Sequence, residues 1–189
     1  MNLPNLLSLL RILLIPLFVL LFYMPMQWTN WLCAAVFGLA GVTDWLDGYL
    51  ARKWNQTTPF GAFIDPVADK LMVVVALVLL VNRYPHVWFV LPTIVIICRE
   101  IVVSALREWM AELGKRASVR VGGAGKVKTI VQMAALTMLI WRDPLWGLPI
   151  YTIGLVLLVV AAVLTMWSAA QYLQAAWRVI GPGQPGEDE

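Results

Sequence analysis

Residues 44–69 read D-W-L-D-G-Y-L-A-R-K-W-N-Q-T-T-P-F-G-A-F-I-D-P-V-A-D, and this stretch decides how the rest of the chain is read. It carries four carboxylates, Asp44, Asp47, Asp65 and Asp69, in a chain that is otherwise almost wholly apolar. The protein has 11 acidic residues, and three of them are the last three residues. Half of the remaining eight therefore sit within these 26 positions.

Their spacing is helical. Asp44, Asp47, Gly48 and Ala51 fall at i, i+3, i+4 and i+7, on one face of one helix. Gly61, Asp65 and Asp69 fall at i, i+4 and i+8, on one face of the next. Thr58 before Pro59 is a helix start, with a capping hydroxyl and then proline at the first helical position. Two antiparallel helices joined by a short polar link would aim the four carboxylates at one another. The small residues on the same faces have two compatible readings: close helix packing, which membrane helices favour, or clearance for a bulky ligand.

Four carboxylates crowded into a low-dielectric place cannot all stay ionised unaided, because like charges and desolvation both oppose it. A bound divalent cation removes that difficulty. All-oxygen donors suit hard ions, so Mg²⁺ or Mn²⁺ is the expected occupant, with Ca²⁺ a competitor.

The pattern D-x2-D-G-x2-A-R-x8-G-x3-D-x3-D, filled here at all eight fixed positions, resembles the signature of the CDP-alcohol phosphotransferase family. The similarity extends to the opening N-L-P-N-L-L-S-L-L-R, to the segment from Cys98 to Arg116, and to G-K-V-K-T at 125–129. It covers residues 1 to about 177 and is strongest toward the branch that uses glycerol 3-phosphate. The resemblance implies transfer of a phosphatidyl group from CDP-diacylglycerol to an alcohol, with release of CMP. It implies two ions of Mg²⁺ or Mn²⁺ held by Asp44, Asp47 and Asp65. Asp69 would be the general base that takes the acceptor hydroxyl proton, and it would also touch a metal. Gly48, Ala51, Arg52 and Gly61 would shape the cytidine diphosphate site together with Asp44, Asp47 and Asp65. Members of the family are homodimers. Other acceptors, such as serine, inositol phosphate or phosphatidylglycerol, are alternatives within it. A divalent-cation transporter is the alternative outside it, since carboxylates within a membrane can line an ion path.

Working outward, 61% of the 189 residues are hydrophobic and 13% are charged. A soluble domain would carry roughly twice that charged fraction. The expected fold is all-α: a polytopic membrane protein with six transmembrane helices and a short N-terminal interfacial segment. Apolar runs predict spans over about Leu6–Met24, Trp28–Lys53, Pro59–Val81, Val87–Trp109, Val127–Trp141 and Pro149–Trp177. Pro16 and Pro66 are expected to bend their helices. Residues 1–177 form one membrane domain in this reading, and 178–189 form a disordered cytoplasmic tail. Cys33 and Cys98 both sit in apolar helices, so no disulfide framework is expected. His86 reads as a surface loop residue. The opening has neither the basic start nor the cleavage site of a secretory signal.

A second polar constellation closes the fourth span. Arg99, Glu100 and Arg107 lie among apolar residues, and ionisable groups inside a span are functional candidates. Glu100 and Arg107 are seven apart, on one face, and read either as a structural pair or as part of a site. Lys126 follows a glycine at the mouth of the fifth span. Arg99, Arg107 and Lys126 together form a candidate pocket for the phosphate of a second substrate. Lys115, Arg116, Arg120 and Lys128 read as positive-inside anchors. Asn5, Ser8 and Arg11 repeat every three residues. They read either as a solvated helix end, with Arg11 reaching the headgroups, or as a wall of the site, with Glu100 another wall candidate.

Charge asymmetry sets the expected orientation. The loops after spans two and four hold most of the lysines and arginines, while those after spans one, three and five hold only Arg83 and Arg142. The aspartate cluster and both termini would then face the cytoplasm, as in a bacterial inner-membrane protein. Several of the ten tryptophans fall at span ends, where an aromatic belt would lie. The net charge of +3 is small, and no nucleic-acid partner is expected.

Overall fold

The computed structural model describes residues 3–26, 28–54, 59–113 and 123–180, with side chains described at 6, 9–26, 28–43, 61, 64, 67–113 and 127–177. These residues form six helices and no strand. The helices are α1 Leu3–Tyr23, α2 Thr29–Trp54, α3 Pro59–Arg83, α4 Val87–Glu112, α5 Gly123–Trp141 and α6 Ile150–Ile180. The apolar runs located each of them. α1 and α5 begin earlier than their runs, at Leu3 and Gly123, and at α5 the glycine-rich 122–125 is partly absorbed into the first turn. α1 is one unbroken helix from Leu3, with Pro16 inside it, so residues 3–6 are continuous with the first expected span. α6 runs on to Ile180, so residues 178–180 of the expected disordered tail are helical, and 181–189 lie outside the described residues.

Short connections make consecutive helices antiparallel, and the contacts agree. Phe18 of α1 meets Phe37 of α2 with ring centroids 6.1 Å apart. α1 lies against both α2 and α3, α6 lies against both α4 and α5, and the two groups join through α2–α5 and α3–α4. Phe18, Phe37, Leu77, Leu80, Phe89, Leu136, Leu139 and Leu158 fill the common core. With an apolar exterior as well, it is the close packing of these side chains, more than their release from water, that favours helix association.

The outside of the bundle is also apolar. Leu13, Leu20, Trp88, Ile101, Ile130, Val163 and Trp167 are all exposed. Apolar surface spread along every helix suits a hydrocarbon environment. Among the described residues, α4 and α6 are long and apolar enough to cross a membrane. α1, α2 and α5 carry shorter apolar stretches, Leu9–Tyr23, Thr29–Thr43 and Val127–Trp141. In the sequence, charge lies toward one end of the other helices: Arg11 in the first half of α1, Asp44 to Lys53 at the end of α2, Asp65 to Lys70 in the first half of α3, and Lys126 and Lys128 at the start of α5.

At the far end Arg83 ties three helices together. It donates to Asn30 Oδ1 at 3.0 Å and to the Phe22 carbonyl at 3.3 Å, and it lies 4.0 Å over the Phe22 ring. Arg142, with φ of 67°, ends α5 in the left-handed region, and Gly147, with φ of 78°, completes the turn into α6. α5 and α6 approach closely at Gly154. A Cβ there would sit 3.0 Å from Leu139 Cγ, 3.1 Å from Met138 Cβ and 3.2 Å from the Leu139 backbone nitrogen. Gly154→Val is therefore expected to force the two helices apart and destabilise the bundle by about 1–3 kcal/mol. A lowered thermal midpoint in detergent would register it, and an unchanged midpoint would contradict the close packing.

Candidate active site

The up-and-down course of the helices collects the chain's polar residues at one end. α1 and α3 run parallel, since Arg11 meets Asp69 near their starts and Phe22 meets Arg83 near their ends. α4 and α6 also run parallel, with Arg99 beside Ser168 and Arg107 beside Tyr172. The start of α1, the end of α2, the start of α3, the second half of α4, the start of α5 and the last third of α6 thus share one end.

Asp69 stands on the third turn of α3. Arg11 Nη1 donates to Asp69 Oδ1 at 2.7 Å across 58 residues of sequence. The arginine side chain is 1% exposed and the aspartate 46%. A buried guanidinium thus holds one oxygen of a carboxylate that can still be reached from outside. That burial does not fit a helix end whose Arg11 reaches the headgroups. Next to Asp69, Lys70 Nζ donates to the Ser104 hydroxyl of α4. Gly61 is buried in the first turn of α3.

The second constellation is denser. Arg99 Nη1 donates to Glu100 Oε1 at 3.0 Å, and Lys128 Nζ donates to the same oxygen from α5. Arg99 Nη2 donates to the Ser168 hydroxyl of α6 at 3.1 Å. Arg107 donates to the Tyr172 hydroxyl at 3.0 Å. The guanidiniums of Arg99 and Arg107 lie 5.8 Å and 5.0 Å from the Tyr172 ring centroid, within reach of a cation–π attraction. Arg99, Lys128 and Ser168 are buried, and Arg107 is exposed. Buried polar atoms without a hydrogen-bond partner cluster on the same helices: Arg99 Nε, Gln132 Oε1 one turn after Lys128, and Thr165 Oγ1 one turn before Ser168.

Two expectations change here. Lys128 is no loop anchor; it is a buried partner of Glu100. Glu100 is paired with Arg99 and Lys128 and not with Arg107, because seven residues of helix separate the last two by about 10 Å along the axis. Tyr172 of α6 takes Arg107 instead. Asp44, Asp47, Gly48, Ala51 and Arg52 lie on the last third of α2, Asp65 on α3, Lys126 on α5, and Asn5 and Ser8 on α1. Their side chains lie outside those described. Lys70, Ser104, Ser168 and Tyr172 carried no signal in the sequence beyond being polar residues inside apolar runs. Cys33 is buried, Cys98 is exposed, and both are free thiols.

The donor chemistry of the 44–69 stretch fits a divalent metal. It offers four carboxylates and no His or Cys, the carboxylates falling on two consecutive helices of the same hairpin. Of the four aspartates, only Asp69 has a described side chain. Among the described residues, no three His, Cys, Asp or Glu side chains gather as a metal group.

Fold and sequence together point to a class: an all-helical protein with the apolar surface of a membrane protein and most of its charged residues toward one end of the bundle. The chain belongs to the CDP-alcohol phosphatidyltransferase family, whose sequence model matches residues 1–167. It is 56% identical over 175 residues to the CDP-diacylglycerol–glycerol-3-phosphate 3-phosphatidyltransferase of Escherichia coli strain K12, covering 93% of this chain and 94% of the relative. Relatives of the same name from Shigella flexneri serotype 5b and Shigella boydii serotype 4 match with the same identity and coverage.

Proposed function

We propose that the chain transfers the phosphatidyl group of CDP-diacylglycerol to glycerol 3-phosphate, giving phosphatidylglycerophosphate and CMP, for phospholipid synthesis. The observation that carries this reading is the 56% identity, over nearly the whole of both chains, to relatives named for that activity. The reading includes six membrane spans forming one domain over 1–177, a tail at 178–189, the charged end facing the cytoplasm of a bacterial inner membrane, and a homodimer. The exposed apolar surface of every helix supports the spans, and the loop charges support the orientation.

In this mechanism Asp69 accepts the proton of the acceptor hydroxyl. The freed oxygen attacks the phosphorus that bears the diacylglycerol, and the pyrophosphate bond breaks toward CMP, which leaves with the electron pair. Arg11 fixes the direction of the Asp69 carboxylate by holding one of its oxygens. Gly48, Ala51, Arg52 and Gly61 shape the place of the cytidine diphosphate. Asp44, Asp47 and Asp65, with Asp69 beside them, would hold Mg²⁺ or Mn²⁺, which when bound offsets the charge of the pyrophosphate as it breaks. Arg99, Arg107 and Lys126 receive the acceptor's phosphate, with Asn5, Ser8 and Glu100 as further parts of the wall. A bundle end open to water and flanked by lipid lets a soluble acceptor meet a membrane-bound donor.

The test is to offer purified protein CDP-diacylglycerol with a panel of alcohols and to measure CMP release. Glycerol 3-phosphate is expected to react, and glycerol and serine are not. Arg107→Ala is expected to raise the apparent KM for glycerol 3-phosphate about ten- to a hundredfold, through loss of a charged hydrogen bond, with little change in that for CDP-diacylglycerol. Equal reaction of free glycerol would overturn the assignment.

A further inference from the structure

Among the described residues, Glu100 is the one acidic group in direct contact with the α4–α5–α6 cluster, and it faces two cations. Arg99 and Lys128 donate to the same carboxylate oxygen from two different helices, and the cluster with Arg107 carries more positive charge than Glu100 can balance. An acid inside an anion pocket would by itself repel the ligand. Its presence calls for a purpose other than contact with phosphate.

We infer that Glu100 is a positioning residue for the acceptor's phosphate, clamping the Arg99 and Lys128 cations side by side so that both serve one anion. The inference rests on the phosphorylated-acceptor reading above and deepens it. Lys128 and Ser168 join the positioning set, neither of them assigned there before. Lys128 is 4% exposed and Arg99 8%, so neither cation has water to screen it from the other. Without the carboxylate charge they repel at short range in a low-dielectric place and separate. Ser168 holds the far side of the Arg99 guanidinium and leaves the Nε hydrogen without a partner among the described residues. Tyr172 then sets Arg99 and Arg107 at a fixed spacing through its ring. The result is a row of three cations held by neighbours from α4, α5 and α6, with net charge left for an incoming dianion.

The sign of one substitution separates this from simple electrostatics. Removing a negative charge beside an anion site strengthens anion binding if the site keeps its shape. It weakens binding if that charge is what gives the site its shape. Glu100→Gln is to be measured on the full chain in mixed lipid–detergent micelles by CMP release, varying glycerol 3-phosphate and CDP-diacylglycerol in turn. The apparent KM for glycerol 3-phosphate should rise about tenfold or more. That for CDP-diacylglycerol should stay within about twofold, and Glu100→Asp should recover part of the loss. Glu108→Gln, an exposed acid on the same helix, is the control. An acceptor KM that is unchanged or lowered in Glu100→Gln overturns the inference. Ser168→Ala keeps every charge and covers the case where Glu100→Gln does not fold. It loosens Arg99 alone and should raise the acceptor KM about three- to tenfold with kcat retained; no change there also overturns the inference. Arg107→Ala in the same series separates the layers. If it raises the acceptor KM while Glu100→Gln does not, the positioning role alone falls. If neither moves it, the phosphorylated-acceptor reading falls and takes the positioning role with it.

Discussion

Asp69→Asn is expected to lower turnover by about 10²–10⁴-fold, the usual loss on removing a general base. Two features single out this aspartate. It is the last of the four in the chain, and it lies against Arg11 while remaining almost half exposed. The amide keeps the shape and can still accept a hydrogen bond from Arg11, so the bundle should stay intact. It cannot take a proton from the acceptor hydroxyl. The effect should therefore appear in kcat, with CDP-diacylglycerol binding largely kept. Asp44→Asn and Asp47→Asn should behave differently and lose nucleotide binding together with activity. Near-normal turnover in Asp69→Asn with failed binding would mean that the roles are exchanged.

Withdrawal of divalent cations is the second large effect. Four carboxylates within 26 residues, near the end of a bundle with an apolar exterior, repel one another and are costly to desolvate. EDTA should abolish turnover, and Mg²⁺ or Mn²⁺ should restore it. A readout without substrate is also available. Added Mg²⁺ should raise the thermal midpoint of the unmodified protein, since a ligand that binds only the folded state stabilises it. It should leave Asp44→Asn and Asp47→Asn much less affected. Full activity in metal-free buffer would contradict the metal reading.

Much of the fold was legible because its signal is local. Apolar runs bounded by Pro85 and His86 or by Asp143 and Pro144 mark helix ends directly, and α4 begins at Val87 as the sequence predicts. The helical spacing of Asp44 and Asp47, and of Asp65 and Asp69, likewise needed only the period of a helix. Contacts between helices were not legible. Whether Lys128 faces a loop or Glu100 depends on how α5 is rotated against α4 and α6, and that rotation follows from apolar packing such as Gly154 against Leu139. The partner of Arg107 turned on the same fact: periodicity placed Glu100 on its face, but the reach of the side chain and the position of Tyr172 decided the contact. Lys70 went unnoticed beside Asp69 because nothing in sequence points to Ser104, 34 residues away.

The contact between Arg11 and Asp69 also bears on how the protein is made. Arg11 leaves the ribosome before its carboxylate partner, which follows 58 residues later. At about 5–20 residues per second, roughly 3–12 s pass before that partner exists. A guanidinium left in hydrocarbon without a partner costs about 2.5–3.5 kcal/mol even on the lenient insertion scale. The first helix therefore has reason to wait at the membrane surface, or against the insertion machinery, until the third arrives. Closing that ion pair would then seat α1 and fix the direction of Asp69 in one event, so the charged end would take shape only once α3 has arrived.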